Sequence, residues 1–233
     1  MRGIKALAFD VGGTVLDWHA GLAAALSECG ARRGVDHDWH ELANEHRRRS
    51  LRRMLGAVEP DHNIDDVHRA VLDELLGEAA IGVFSAEDRR RIAHRWHELA
   101  AWPDFAPALA RLRQNYPCVA FTILSLSLII DVSRRNGLGW DATISCEMLR
   151  VYKPLPQAYQ RVAKLLGVAP HEMLMVACHN FDLDAARSQG YRTAFVRRPD
   201  EWGPGGPPDP TPNPAVDIVA DGFIELADTV LRD

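Results

Sequence analysis

The chain has 233 residues, 47% hydrophobic and 25% charged, with a formal net charge of -5. That length suits one large domain or a core with a modest insert, and the mild acidity argues against nucleic acid or anionic membrane as a partner. With no apolar run near the roughly 20 residues that span a bilayer, no signal-peptide pattern and four scattered cysteines (Cys29, Cys118, Cys146 and Cys178), a cytoplasmic protein with buried thiols is expected.

Lys5 to Asp10 is a short apolar run that stops at an acid, as in a strand buried on both faces of a parallel sheet. Gly12, Gly13 and Thr14 break it. From about Gly21 to Trp102, Ala, Leu, Arg and Glu recur at helical spacing, so several helices are expected, with turns near 34–37, 59–63 and 82–85. Ser85 with Asp88 has capping-box spacing. A strand–helix rhythm then begins. Helix 106–115 leads to strand 119–124, helix 128–136 ending at Gly137, and strand 142–145. Next come Lys153 and Pro154, the latter read as the first position of a helix whose body is 157–166. Strand 173–177, helix 183–189 and strand 193–197 follow. The Pro/Gly-rich stretch 203–214 reads as an irregular surface loop, and strand 217–220 with helix 223–231 closes the pattern. Alternating strands and helices imply an α/β, doubly wound parallel sheet. The early helical block is then an insert.

In such sheets, sites form at the carboxyl ends of strands. Three strands finish in useful groups: Asp10, Ser125, and the cluster His179, Asn180, Asp182 and Asp184. Lys153 joins them from a loop. A carboxylate can act as a covalent nucleophile, and a nearby lysine would keep it ionised. Ser125 and Thr14 are hydrogen-bond donors for nucleophile or substrate, and Asp182 is placed to hold Lys153 and orient water. The pairs His94/His97 and His37/His40 lack a third ligand and read as surface.

The stretch Asp10-Val-Gly-Gly-Thr-Val-Leu-Asp17 resembles the nucleophile motif of the haloacid dehalogenase superfamily. Ile123-Leu-Ser125, Tyr152-Lys153-Pro154 and His179 to Arg187 resemble its second, third and fourth motifs, so the likeness covers nearly the whole chain. It implies a Rossmann-like core (residues 1–16 and 101–233) with a helical cap (17–100), Asp10 as nucleophile, and Ser125, Lys153 and Asp182 as its partners.

Departures from the family pattern separate its branches. Phosphatases of the superfamily carry a general-acid Asp where this chain has Gly12, which cannot transfer a proton. They also bind Mg²⁺ through an Asp where this chain has Cys178, a poor ligand for a hard cation. A dehalogenase needs neither group. The resemblance therefore implies hydrolysis of a short 2-haloalkanoic acid through an aspartyl ester, with no metal cofactor, a small haloacid as partner and a homodimer by analogy. Trp18 after Asp17 also resembles the type II haloacid branch. Arg47 falls where that branch receives the departing halide, although Arg47, Arg48, Arg49, Arg52 and Arg53 also fit one solvated helix face. Two substrate-side positions depart from the standard 2-haloacid enzyme. Gly12 replaces a bulky aromatic and widens or reshapes the pocket, and Leu126 replaces an amide donor. His179 and Asn180 are the candidate substitutes, His179 being equally readable as a satisfied strand-end residue. The rival readings are a Mg²⁺-dependent phosphatase or phosphonate hydrolase with displaced acids, Asp184 among them, and a non-catalytic binding protein on the same fold.

Overall fold

The computed structural model describes residues 3–57, 62–207 and 210–232. Six parallel strands form one sheet: β1 (Ala6–Phe9), β2 (Cys118–Thr122), β3 (Ala142–Ser145), β4 (Met173–Ala177), β5 (Arg192–Val196) and β6 (Ile218–Ala220). Their order is β3-β2-β1-β4-β5-β6, the doubly wound arrangement the alternation predicts. β1, β2 and β4 are buried throughout, which is why they read as unbroken apolar runs. β1 pairs with β2 on one side (Phe9 opposite Ala120) and β4 on the other (Phe9 opposite Val176). The order reverses between β1 and β4, so a crevice opens beyond their carboxyl ends.

Four helices, α1 (Trp18–Arg33), α2 (Trp39–Met54), α3 (Ile64–Glu78) and α4 (Ala86–His94), and a 3-10 turn (Arg95–Glu98) lie between β1 and the rest of the sheet. Side chains of Asp17, Asp38, Asn63 and Ser85 accept from backbone N–H groups at the four helix starts, and Ser85 with Asp88 completes the expected capping box. The expected turn at 59–63 falls partly on residues 59–61, outside those described. The remaining helices are α5 (Phe105–Leu112), α6 (Leu126–Asn136), α7 (Cys146–Leu149), α8 (Pro156–Leu166), α9 (Asn180–Ser188) and α10 (Phe223–Leu231). Gly137 closes α6 with φ of 63°, a conformation that costs any side-chain-bearing residue more.

Three local expectations are corrected. α8 begins at Pro156, not Pro154, because a residue before proline avoids helical geometry and Leu155 accordingly stays extended at ψ 135°. α9 begins at Asn180, three residues early, so Asp182 lies in the first turn of a helix and not at a strand end. His97 is not a surface residue: its side chain is 14% exposed and sits 2.7 Å from Asp131 and 3.5 Å from Asp65. The four cysteines are buried thiols. No helix among the described residues is long and apolar enough to cross a membrane.

Inside the helical block, His46 donates through Nε2 to the His68 carbonyl at 2.9 Å, and His68 stacks on Trp96 with ring centroids 3.9 Å apart. Both imidazoles are buried, and burial pushes His46 down to about 4 and His68 well below its ordinary value. The unfolded chain therefore takes up protons first as pH falls below about 6.5, and stability drops through the window down to about 4. Two and a half pH units correspond to about 3 kcal/mol from His46 alone. Urea unfolding at pH 7 and pH 4.5 should show this loss, and His46→Gln should reduce the difference.

Candidate active site

Asp10 follows β1 directly, its N–H donating to the Val176 carbonyl of β4 at 2.9 Å. The side chain is thus fixed at the switch point. Thr14 Oγ1 donates to Asp10 Oδ2 at 2.8 Å and accepts from the Cys178 N–H at 3.1 Å, tying the loop after β1 to the loop after β4. Lys153 Nζ, delivered by the turn ahead of α8, donates to Asp10 Oδ1 at 3.2 Å and to Asp182 Oδ2 at 2.6 Å. The other Asp182 oxygen accepts from the Tyr159 hydroxyl of α8 at 2.6 Å. His179 lies between two carboxylates, with Nδ1 3.1 Å from Asp10 Oδ2 and Nε2 2.9 Å from Glu201 Oε1. Trp18 Nε1 donates to the same Glu201 oxygen at 3.1 Å.

These contacts set the charges. Burial works against ionisation of Asp10, but Lys153, His179 and Thr14 outweigh it and hold the carboxyl well below the ordinary carboxylate range. Burial likewise opposes a charge on Lys153, and Asp182 and Asp10 reverse it, raising the ammonium above its ordinary value. Burial is overcome at His179 by Cys178, Glu201 and Asp10, and at Glu201 by His179 and Arg47. The Cys178 thiol, pushed up to about 11 chiefly by burial, is neutral near pH 7. Asp10, Asp182 and Glu201 thus face Lys153, His179 and Arg47, a balanced cluster into which one anion can enter without leaving a large charge excess.

Arg47 differs from its arginine neighbours. Arg48, Arg49, Arg52 and Arg53 pair with Glu41, Glu45, Glu74 and Glu78 on the outside of the helical block. Arg47 is 1% exposed and lies 5.5 Å from the Trp18 ring and 5.7 Å from the Trp96 ring. Its Nη2 donates to the Gly12 carbonyl at 3.0 Å, while Nε and Nη1 have no partner among the described residues. A Cβ at Gly12 would stand 3.2 Å from Nη2, a tight approach. Arg47, Asp10, Gly12, Lys153, His179 and Ile123 help line one small pocket. A wider cleft of about 410 Å³ at Arg69, Arg91, His94 and His97 lies away from these groups and contains nothing that touches Asp10.

Other expected residues are elsewhere. Ser125 caps α6 and donates to Asp65 at 2.7 Å, and the Leu126 N–H donates to Glu147 at 2.9 Å, so both are occupied by carboxylates of the chain itself. Asn180 holds the 211–213 loop through Thr211 and Asn213. Asp184 bonds Asn213 and Arg187, also off the cavity. Asp182 touches Lys153 and Tyr159 but does not line the cavity. Sequence reasoning missed Tyr159 and Glu201. Tyr159 had a weak signal, a phenol on the buried face of the amphipathic helix that follows the site lysine. Glu201 had none. The residues do not suit Mg²⁺: both Asp10 oxygens are engaged by Lys153 and His179, and beside them stand a thiol, an imidazole and one carboxylate within 4.8 Å of one another, not an all-oxygen set.

Residues 4–190 match the profile of the haloacid dehalogenase-like hydrolases. A (S)-2-haloacid dehalogenase of Burkholderia cepacia is 30% identical over 217 residues, 88% of this chain and 86% of that protein. The crystal structure of a defluorinating L-2-haloacid dehalogenase is 36% identical, with a TM-score of 0.90 over 99% of this chain and 96% of that one. A second L-2-haloacid dehalogenase structure is 32% identical, with a TM-score of 0.89 over 98% of this chain and 100% of the other.

Proposed function

The chain belongs to the haloacid dehalogenase-like hydrolases, and from that membership we propose that it cleaves the carbon–halogen bond of a short 2-haloalkanoic acid. The observation that carries this reading is the pairing of an ionised, buried Asp10 with a buried Arg47 whose Nε and Nη1 lack partners among the described residues, both on one small pocket. Asp10 attacks the carbon that bears the halogen. A carbon–oxygen bond forms, the carbon–halogen bond breaks, and the halide leaves with the bonding electrons toward Arg47. Lys153, held by Asp182, whose other oxygen accepts from Tyr159, keeps Asp10 ionised and offsets charge as the substrate carboxylate arrives. Thr14 and His179 complete the hold on the nucleophile, and Gly12 gives Arg47 its place. Residues 17–100 act as a cap over a core of 1–16 and 101–233. The reaction uses no metal, in keeping with the donor set around Asp10, and the protein works in the cytoplasm, as a homodimer by analogy with relatives.

A single turnover in heavy-oxygen water tests the covalent route. Water then attacks the ester carbonyl, so label should enter Asp10 and leave the first-cycle product unlabelled. Product labelled on that first cycle would mean direct hydrolysis. Chloroacetate, fluoroacetate and 2-chloropropionate, assayed for halide release with a chelator present, are the substrates of choice.

A further inference from the structure

The ester formed at Asp10 must be hydrolysed, which needs a base beside its carbonyl carbon. Asp182 is badly placed for that task. One of its oxygens is taken by Lys153, the other by Tyr159, and it is absent from the cavity wall. His179 is on that wall, with one ring nitrogen on Asp10 and the other on a buried carboxylate. Glu201 reaches it from the loop after β5, and its side chain is 4% exposed. Three features fix this carboxylate. It accepts from His179 Nε2 and Trp18 Nε1, and it packs so closely on Gly13 that a Cβ there would fall 2.0 Å from Oε1. A nucleophile, an imidazole and a buried acid in line is the geometry by which unrelated hydrolases activate water or a hydroxyl.

Resting on the dehalogenase reading, we propose that His179 is the catalytic base that hydrolyses the Asp10 ester and that Glu201 is its positioning residue. In the free enzyme the ring carries a proton on each nitrogen and bridges Asp10 and Glu201. Esterification cancels the Asp10 charge, leaving the imidazolium one carboxylate neighbour in place of two, and the Nδ1 proton passes to solvent. Glu201 retains the Nε2–H and so fixes the tautomer whose Nδ1 lone pair faces the ester. A water oxygen then bonds to Asp10 Cγ as one of its protons moves to Nδ1. The tetrahedral adduct collapses by breaking the bond between Cγ and the ester oxygen, the former Asp10 carboxylate oxygen now bonded to the substrate carbon, which takes the proton from Nδ1 and departs as the hydroxyl of the 2-hydroxy acid. The second water proton leaves Asp10 for solvent as the Lys153 and Thr14 contacts restore the carboxylate.

The test separates the two half-reactions. Rapid-quench chloride release from chloroacetate is measured for the wild type, His179→Gln and Glu201→Gln, together with mass spectrometry of the peptide that contains Asp10. His179→Gln should still release about one chloride per active site in a fast phase, then slow about 100- to 10,000-fold, the usual worth of a general base. A hydroxylamine-labile carboxymethyl ester should accumulate on Asp10. Glu201→Gln, which keeps the shape of the side chain, should show the same burst followed by a smaller slowing. A purely structural role would depress the burst and the steady phase alike. The proposal is overturned if His179→Gln hydrolyses the ester at the wild-type rate, or if burst and adduct disappear together. A wild type that releases no chloride would instead bring down the dehalogenase reading beneath it.

Discussion

Replacing Lys153 with methionine is expected to cost both activity and fold, by about 1,000-fold in halide release and about 3–5 kcal/mol in stability. The ammonium is 1% exposed and satisfies two buried carboxylates at once, Asp182 at 2.6 Å and Asp10 at 3.2 Å. Methionine fills the volume but leaves two negative charges without their counter-ion. Desolvation then governs, and one of the pair takes up a proton. If Asp10 takes it, the nucleophile is lost. The pH dependence has a definite sign. A carboxyl whose folded pKa rises above its unfolded value contributes stability in acid and loses it as pH climbs through the folded pKa. The deficit of Lys153→Met relative to the wild type should therefore grow between pH 5 and pH 7. Urea titrations at the two pH values measure it, and equal deficits would show that Lys153 acts by packing alone.

Arg47→Met should behave differently, losing about 100- to 1,000-fold in turnover with a stability change within about 1–2 kcal/mol of zero. Among the described residues Arg47 has one acceptor, the Gly12 carbonyl, so its removal relieves a desolvated cation while orphaning one carbonyl. Two tryptophan rings that flank the guanidinium can close on a methionine side chain. The loss should be uneven across leaving groups. Fluoride, the smallest and most charge-dense halide, depends most on a cation in the transition state, so fluoroacetate should suffer more than bromoacetate. Uniform loss across the halides would place Arg47 outside the leaving-group pocket.

Much of this architecture was legible in residue order. Buried parallel strands announce themselves as apolar runs, and Asp10, Lys153 and Asp182 follow one another in a sequence that matched a family pattern. Arg47 was ambiguous for a physical reason: five arginines within seven positions share a helix, and the one that turns inward finds its acceptor at the Gly12 carbonyl, 35 residues away. Ser125, Leu126 and Asn180 stand at helix starts and not at strand ends, and their hydrogen bonds go to Asp65, Glu147 and the 211–213 loop, partners that local pattern does not reveal. Glu201 stands in an aperiodic segment, and its meaning arises only when β4 and β5 lie side by side. The start of α9 was set too late because His179, at the helix N-cap, was read as the end of a strand.

The bond between Arg47 and the Gly12 carbonyl joins α2 to the turn that carries the nucleophile. The charge proposed to receive the leaving group is therefore borrowed from a neighbouring part of the molecule. Any hinge movement that parts the two withdraws that charge before Asp10 itself is disturbed, so an open conformer would hold a competent nucleophile with nowhere to send the halide.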